Sequence, residues 1–261
     1  MTDCWILYDR DDLAINGFFA DRLVECGRGL GMDAEIVTLD SIPDGVPDIL
    51  VNRSRSSEVA SRLESRGTVA LNSSRVTRIA NDKYGTYRLA GSLGIPFLPI
   101  SLPDEGLPPG DRWVVKSRTG HGGTEVFLAD SEEMVRELTG RVRDPIVQTA
   151  SSTLGRDMRV YVLDGKILAA VMRSNDSDFR ANYKLGGDIR LCDVPDDARE
   201  TVERVCSELH PDLVGIDFVF SDGRAMLNEV EDAVGTRMLY ALTELDPARL
   251  LMELAHSKMS L

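Results

Sequence analysis

Residues 215–235 read "GIDFVFSDGRAMLNEVEDAVG". Two apolar runs, 216–220 and 225–230, flank a turn, which is the pattern of an antiparallel hairpin. Yet Asp217 interrupts the first run, and Glu229, Glu231 and Asp232 crowd the end of the second. Carboxylates among apolar neighbours are costly unless cations or several donors compensate them. Glu229 and Glu231 lie two apart and so share one face of a strand. Whether Asp217 joins them depends on the turn. A two-residue Asp222-Gly223 loop pairs 221 with 224 and 217 with 228, and turns Asp217 away. A three-residue loop over 222–224, with a bulge residue in the left-handed region, pairs 217 with 229 and 215 with 231. The three carboxylates then converge from neighbouring strands, and oxygen-only ligands of this kind suit Mg²⁺ or Mn²⁺. The competing reading is a solvated face with scattered acids, against which the apolar flanks weigh.

Cationic and glycine-rich pieces lie upstream. Lys116 sits inside the apolar strand 112–117, and the following "RTGHGG" carries Gly120, Gly122 and Gly123. Glycines let backbone N–H groups approach a phosphate closely. The lysine precedes the glycines, so this is not a Walker A loop. Lys83 falls on a helical stretch, 81–96, that Gly94 and Pro96 terminate. Arg180 and Asn182 lie in the polar loop 174–188. An arginine there can clamp a phosphate bidentately, and the asparagine can bind a phosphate or a metal-bound oxygen. Taken singly, each also describes an ordinary surface residue.

The remaining pattern divides the chain into three units: an open α/β layer over 1–80, a smaller α+β unit over 81–150 and a second α+β unit over 151–261. The first alternates strands, such as "CWILYD" and "DILVNRS", with helices, and carries no GxGxxG after its first strand. A Pro/Gly/acid-rich connector, "SLPDEGLPPGD", precedes antiparallel segments, among them the hairpin 158–173 with its Asp164-Gly165 turn. A net charge of −13 argues against nucleic acid or an anionic membrane as the main partner. Four cysteines without a CxxC pair read as reduced thiols, the N-terminus has no basic leader, and no apolar run approaches a membrane span. A cytoplasmic protein is expected.

The order of the pieces carries more than any one of them. Lys83, Lys116 with its glycine loop, "IVQTA", "GRDMRVYVLDGKILAAVMR", "DFRAN" and "GID", with Glu229 twelve residues after Asp217, together resemble the ATP-grasp ligases, and among them the RimK-like carboxylate–amine ligases. The resemblance runs from about 82 to 234. It implies two α+β subdomains whose antiparallel sheets sandwich ATP, behind an N-terminal α/β layer. It implies Lys83 and Lys116 on the ATP phosphates, with Gly122 and Gly123 in a loop that closes over them. Gln148, Thr149 and Ala150 would form the hinge that offers backbone groups to adenine, and Asp157 would reach the ribose. Arg180, Ala181 and Asn182 would lie at the phosphates, with Asp217 and Glu229 as magnesium ligands. Where the family has an Asn in "EVN", this chain reads "EVE", which makes Glu231 the third ligand. Its "NASPG" becomes "EDAVG", so the substrate end of the site is altered.

What the resemblance implies for function is ATP-dependent amide formation through an acyl phosphate, with release of ADP and phosphate. Lys116 and Arg180 would be the catalytic charges, ATP and Mg²⁺ (or Mn²⁺) the cofactors. Small-molecule, amino-acid or peptide substrates, free or carried by a protein, would be the partners, with a homo-oligomer admitted. A phosphotransferase on the same fold, or a non-catalytic ATP-binding module, is the alternative.

Overall fold

The computed structural model describes residues 2–123, 125–181 and 187–259. The N-terminal layer is a four-stranded parallel sheet in the order β2-β1-β3-β4, formed by Thr2–Tyr8 (β1), Met32–Thr38 (β2), Ile49–Asn52 (β3) and Val69–Leu71 (β4). β3 is buried along its whole length, as expected of a parallel strand covered on both faces. Arg10–Gly29 (α1) starts where Asp9 accepts a hydrogen bond from the Asp11 N–H, and carries Asp11 and Asp12 in its first turn. It kinks at Asn16, whose side chain donates to the Asp12 carbonyl.

Two helices lead onward, Ser74–Ala80 (α3) and Lys83–Ser92 (α4), after Ser57–Glu64 (α2) within the first layer. The break between α3 and α4 has a local cause. Asp82 is the N-cap of α4, accepting from the Gly85 N–H, and places Lys83 in the first turn. Next comes a small antiparallel sheet, order β5-β8-β6-β7: Ile100–Ser101 (β5), Trp113–Ser117 (β6), Val126–Ala129 (β7) and Pro145–Thr149 (β8), backed by Glu132–Thr139 (α5). The larger antiparallel sheet, order β11-β10-β9-β12-β13, holds Thr153–Leu163 (β9), Lys166–Ser174 (β10), Asp188–Leu191 (β11), Leu213–Ser221 (β12) and Arg224–Glu231 (β13). Asp196–Leu209 (α6) covers one face, and Arg237–Leu242 (α7) and Pro247–Lys258 (α8) complete the chain. α8 and α1 share a core in which Met252 and Leu251 meet Leu23, Ala34 and Tyr161, so the first layer is bolted to the large sheet.

The hairpin that opens the sequence reading has the expected pairing for a different reason. Its loop is two residues, not three: Ser221 pairs with Arg224, and Asp222 and Gly223 both have positive φ, 52° and 78°. That is the primed turn favoured by Asp-Gly. The pairing then slips between Asp217 and Phe218, because Phe218 faces Leu227 while Asp217 faces Glu229. Asn228 is the extra residue of a β-bulge in mid-strand. Gly215 accordingly faces Glu231. The bulge, rather than the turn, puts Asp217 beside Glu229.

Candidate active site

A cleft of about 290 Å³ lies between the two antiparallel sheets and reaches the first layer at its far end. The bulge shapes its floor. Alternation would send Asn228 and Glu229 to opposite faces, but both line the cleft. Asn228 is fixed from two sides. The Tyr87 hydroxyl donates to its carbonyl (2.7 Å), and Lys116 Nζ lies 3.2 Å from its Oδ1.

Lys116 is buried beneath this floor. Its Nζ also donates to Gln148 Oε1 (2.8 Å) and to the Tyr87 hydroxyl (2.9 Å). All three partners are neutral, so burial prevails over the nearby Glu229 and lowers the ammonium to about 8. Lys83 is also buried. It donates to the Gly120 carbonyl and lies 3.1 Å from Glu229 Oε1. A lysine on α4 thus holds the glycine loop against the floor. The start of the loop is held by Arg118, which forms two bonds of 2.5 Å with Asp82, and by the Lys83 N–H, which donates to the Arg118 carbonyl. Gly122 and Gly123 line the cleft with φ of 67° and 76°, values that favour glycine. Arg180 donates through Nη1 to the Gly123 carbonyl (2.8 Å) and forks onto Asp178, so it ties the loop to the far wall. Ala181 lines the same wall, and Asn182 lies outside the described residues.

The hinge is built differently from expectation. Gln148 points inward to Lys116 and Tyr87. The Thr149 and Ala150 N–H groups are taken by the carbonyls of Pro99 and Arg112, each at 2.9 Å, and Ala150 is not part of the cleft lining. These donors serve the small sheet. Leu98, Val114, Val126, Leu154 and Val219 give the cleft an apolar lining beside its charged groups.

The acids do not stand open. Asp217 takes both oxygens into Arg159, Nε to Oδ1 and Nη2 to Oδ2 at 2.7 Å each, and receives Arg173 Nη2 at 2.8 Å. Burial alone would raise its carboxyl, but Arg159 and Arg173 override burial and hold it far below the usual range. Asp157, expected at a ribose, is paired with Arg173 instead, at 3.0 Å through Nη2 and more closely through Nε. Burial, opposed by Arg173, raises it. Arg159 Nη1 also lies 2.6 Å from Glu231 Oε2, but that oxygen is buried and accepts no aligned hydrogen bond. Burial raises Glu231 despite Arg159.

Asp157, Arg173, Asp217, Arg159 and Glu231 therefore form one alternating charge lattice. Asp217, Glu229 and Glu231 come together on one face, but each meets a cation. Among the described residues no three acidic, imidazole or thiol groups are arranged to hold a metal ion. The donor chemistry still suits a hard cation at Glu229 and Glu231. Both line the cleft with carboxylate oxygens, and Glu231 Oε2, though 2.6 Å from Arg159 Nη1, accepts no aligned hydrogen bond.

Sequence reasoning missed Arg159 and Arg173. Their signal was present: Asp157 and Arg159 stand two apart in β9, and Arg159 interrupts a buried run, Met158 to Val162, that is otherwise apolar. His121 was missed as well. It lies in the cleft, and burial together with Arg55 and Lys83 lowers it to about 4, so it is neutral near pH 7.

A cleft lined by Lys83, Lys116, Arg159 and Arg180, roofed by a glycine loop and floored by acids, on two facing antiparallel sheets, is that of an ATP-grasp enzyme of the carbon–nitrogen ligase class. Comparison with known proteins agrees. Residues 111–254, more than half of the chain, match the RimK-like ATP-grasp domain, and the chain belongs to that family. It is similar to "Uncharacterized protein MG011" of Mycoplasma genitalium, with 28% identity over 247 residues, 91% of this chain and 86% of the relative. It is similar also to a "Probable alpha-L-glutamate ligase" of Coxiella burnetii, with 27% identity over 210 residues, 75% of this chain and 69% of that protein. Among solved structures, the D-cycloserine synthetase DcsG shares the fold with a TM-score of 0.75 at 19% identity, over 98% of this chain and 99% of that one. Among the described residues no helix is long and apolar enough to cross a membrane.

Proposed function

We propose that this protein joins a carboxylate to an amine at the expense of ATP, through an acyl phosphate, releasing ADP and phosphate. The observation that carries the proposal is the set of cations converging on one cleft. Lys83 and Lys116 rise from its floor, Arg159 and Arg173 lie beside the acids, and Arg180 stands at the lid. A carboxylate is a poor electrophile. Transfer of the terminal phosphoryl group to it creates a good leaving group, and the amine then displaces phosphate. The protein's share is positioning and charge neutralisation. Lys116 and Lys83 meet phosphate oxygens from below, and Arg180 meets them from above with the loop of Gly122 and Gly123. A carboxylate substrate is held by Arg159 or Arg173. Glu229 and Glu231, with Asp217 near, would hold Mg²⁺, which would supply charge neutralisation to the phosphates.

In this reading the units 1–80, 81–150 and 151–261 act as substrate layer, lid and floor. The substrates are small molecules, amino acids or peptides. The test is ADP release with paired carboxylates and amines, with product masses read in parallel. ADP release that needs both partners and yields the condensed mass is expected. Sustained ADP release with a phosphorylated product and no amine requirement would make the protein a phosphotransferase.

A further inference from the structure

Between Gly120 and Gly122 of the lid stands an imidazole, His121, half-buried and lining the cleft. Its place is set by the loop's own anchors. Gly120 folds back onto the end of β6, where a Cβ would come within 2.9 Å of the Ser117 Cβ, and its carbonyl is held by Lys83 from the floor. The Gly123 carbonyl is held by Arg180 from the far wall. The short span that carries His121 is thus fixed at both ends. The charges that act on the ring locate it further. Beside burial, they are Arg55, Lys83, Glu229 and Asp12, in that order. Lys83 and Glu229 belong to the floor, where they lie 3.1 Å apart. Asp12 and Arg55 belong to the first layer, one in the first turn of α1 and the other just beyond β3, and they pair with each other. His121 therefore stands where the floor meets the first layer, at the far end of the cleft.

The direction of β6 says which part of a nucleotide lies beneath it. Along that strand the cleft lining passes from Val114 to Lys116 and then, through the loop, to His121. A nucleotide whose base rests on the apolar lining and whose inner phosphates meet Lys116 runs the same way, and its terminal phosphate arrives between Lys83 and His121. The phosphoryl group that leaves ATP spreads its charge over three peripheral oxygens. Lys83 serves them from below as a compact charge. A fixed N–H in the lid serves them from the other side, and an imidazole carries at least one N–H in either protonation state. The ring has two nitrogens, so one keeps a protein partner while the other meets the ligand. We propose that His121 is a catalytic residue, the lid donor that hydrogen-bonds the phosphoryl group on its way from ATP to the carboxylate. In that step the bond from phosphorus to the ADP oxygen breaks and a bond to a carboxylate oxygen forms, while His121 neither gains nor loses a proton. The inference rests on the ligase reading above and adds a residue to its machinery.

The test is calorimetry of the full chain with MgADP and with the Mg²⁺ complex of the β,γ-imido analogue of ATP, two ligands that differ in the terminal phosphate. His121→Ala should bind the analogue about tenfold more weakly and MgADP as the wild type does, since a hydrogen bond to a charged group is lost from the longer nucleotide alone. MgADP binding is thereby the control for folding. His121→Asn or His121→Gln, whose amides place an N–H near the position of Nδ1 or Nε2, should recover most of the loss. An equal loss for both nucleotides, no loss for either, recovery by neither amide, or a wild type that binds MgADP but not the analogue would overturn the assignment and leave nucleotide binding intact. A wild type that binds neither nucleotide would remove the ATP reading itself, and the assignment of His121 with it.

Discussion

The charge lattice makes a sharp claim about Arg159. This side chain is buried, spans both oxygens of Asp217 and lies against Glu231. Arg159→Met keeps most of the stem and removes the charge. Breaking a buried ion pair by deleting one partner costs about 3–5 kcal/mol, because the other charge is stranded. Arg173 still holds one oxygen of Asp217 at 2.8 Å, which places the loss near the low end, about 3 kcal/mol. At about 2–4 °C per kcal/mol for a chain of this size, the melting temperature should fall by about 6–12 °C. Adding Glu231→Gln should then recover up to about 1 kcal/mol, since a half-buried carboxylate that has lost its cation is replaced by a neutral amide. The assay is urea and thermal unfolding by circular dichroism in EDTA, followed by a Mg²⁺ titration. Arg159→Met should gain more from Mg²⁺ than the wild type does, because Glu231 then has no competing guanidinium. A variant within about 0.5 kcal/mol of wild type, or a double variant less stable than Arg159→Met, would show that the lattice is not a stabilising unit.

Lys116 predicts a pH effect. Burial lowers its ammonium to about 8 in the free protein, and a polyphosphate bound nearby restores it, so ATP binding takes up a proton. Affinity should therefore fall as pH rises through about 8; calorimetry in buffers of different ionisation heat checks this, and constant affinity across that range would contradict it. Lys116→Ala and Arg180→Ala should each lower turnover about a hundredfold, the usual scale for losing one charge that stabilises a transition state, with near-normal turnover as the opposing result. The loop 118–123 should gain hydrogen-exchange protection on ATP binding, because phosphate oxygens would take up its backbone N–H groups while Arg180 and Lys83 hold its carbonyls. Gly155→Ala should destabilise by about 1–3 kcal/mol and raise KM for ATP. Its φ is 66°, and a Cβ there would collide with the Asn175 carbonyl, at the base of the loop that carries Arg180. A variant as stable as wild type would refute that account.

How far the site was legible in the sequence is clearest in the hairpin. Alternation and the Asp-Gly turn were local signals, and the two strands and their turn follow from them. The register did not. Read from the turn alone, Asp217 faces Asn228 and the acids separate. The bulge that reunites them has no local signature, because its partners are remote. Tyr87 stands 141 residues from Asn228 and Lys116 stands 112 away, and together they hold Asn228 out of the ladder. A three-residue loop gave the right pairing for the wrong reason, and the family-like spacing of Asp217 and Glu229 supported it.

What the reading of the acids left out is their counter-charges. Counting oxygen donors on one face ignores what Coulomb interactions do when no metal is bound. Acids that converge in an apolar sheet must be neutralised as the chain folds. Here the same strands that carry the acids, or their neighbours β9 and β10, supply Arg159 and Arg173 to do it. Two charges spaced by two in one strand mark Glu229 and Glu231, and they mark Asp157 and Arg159 as well. Reading both pairs together would have given the lattice, since a cluster of buried acids implies its cations before it implies a metal.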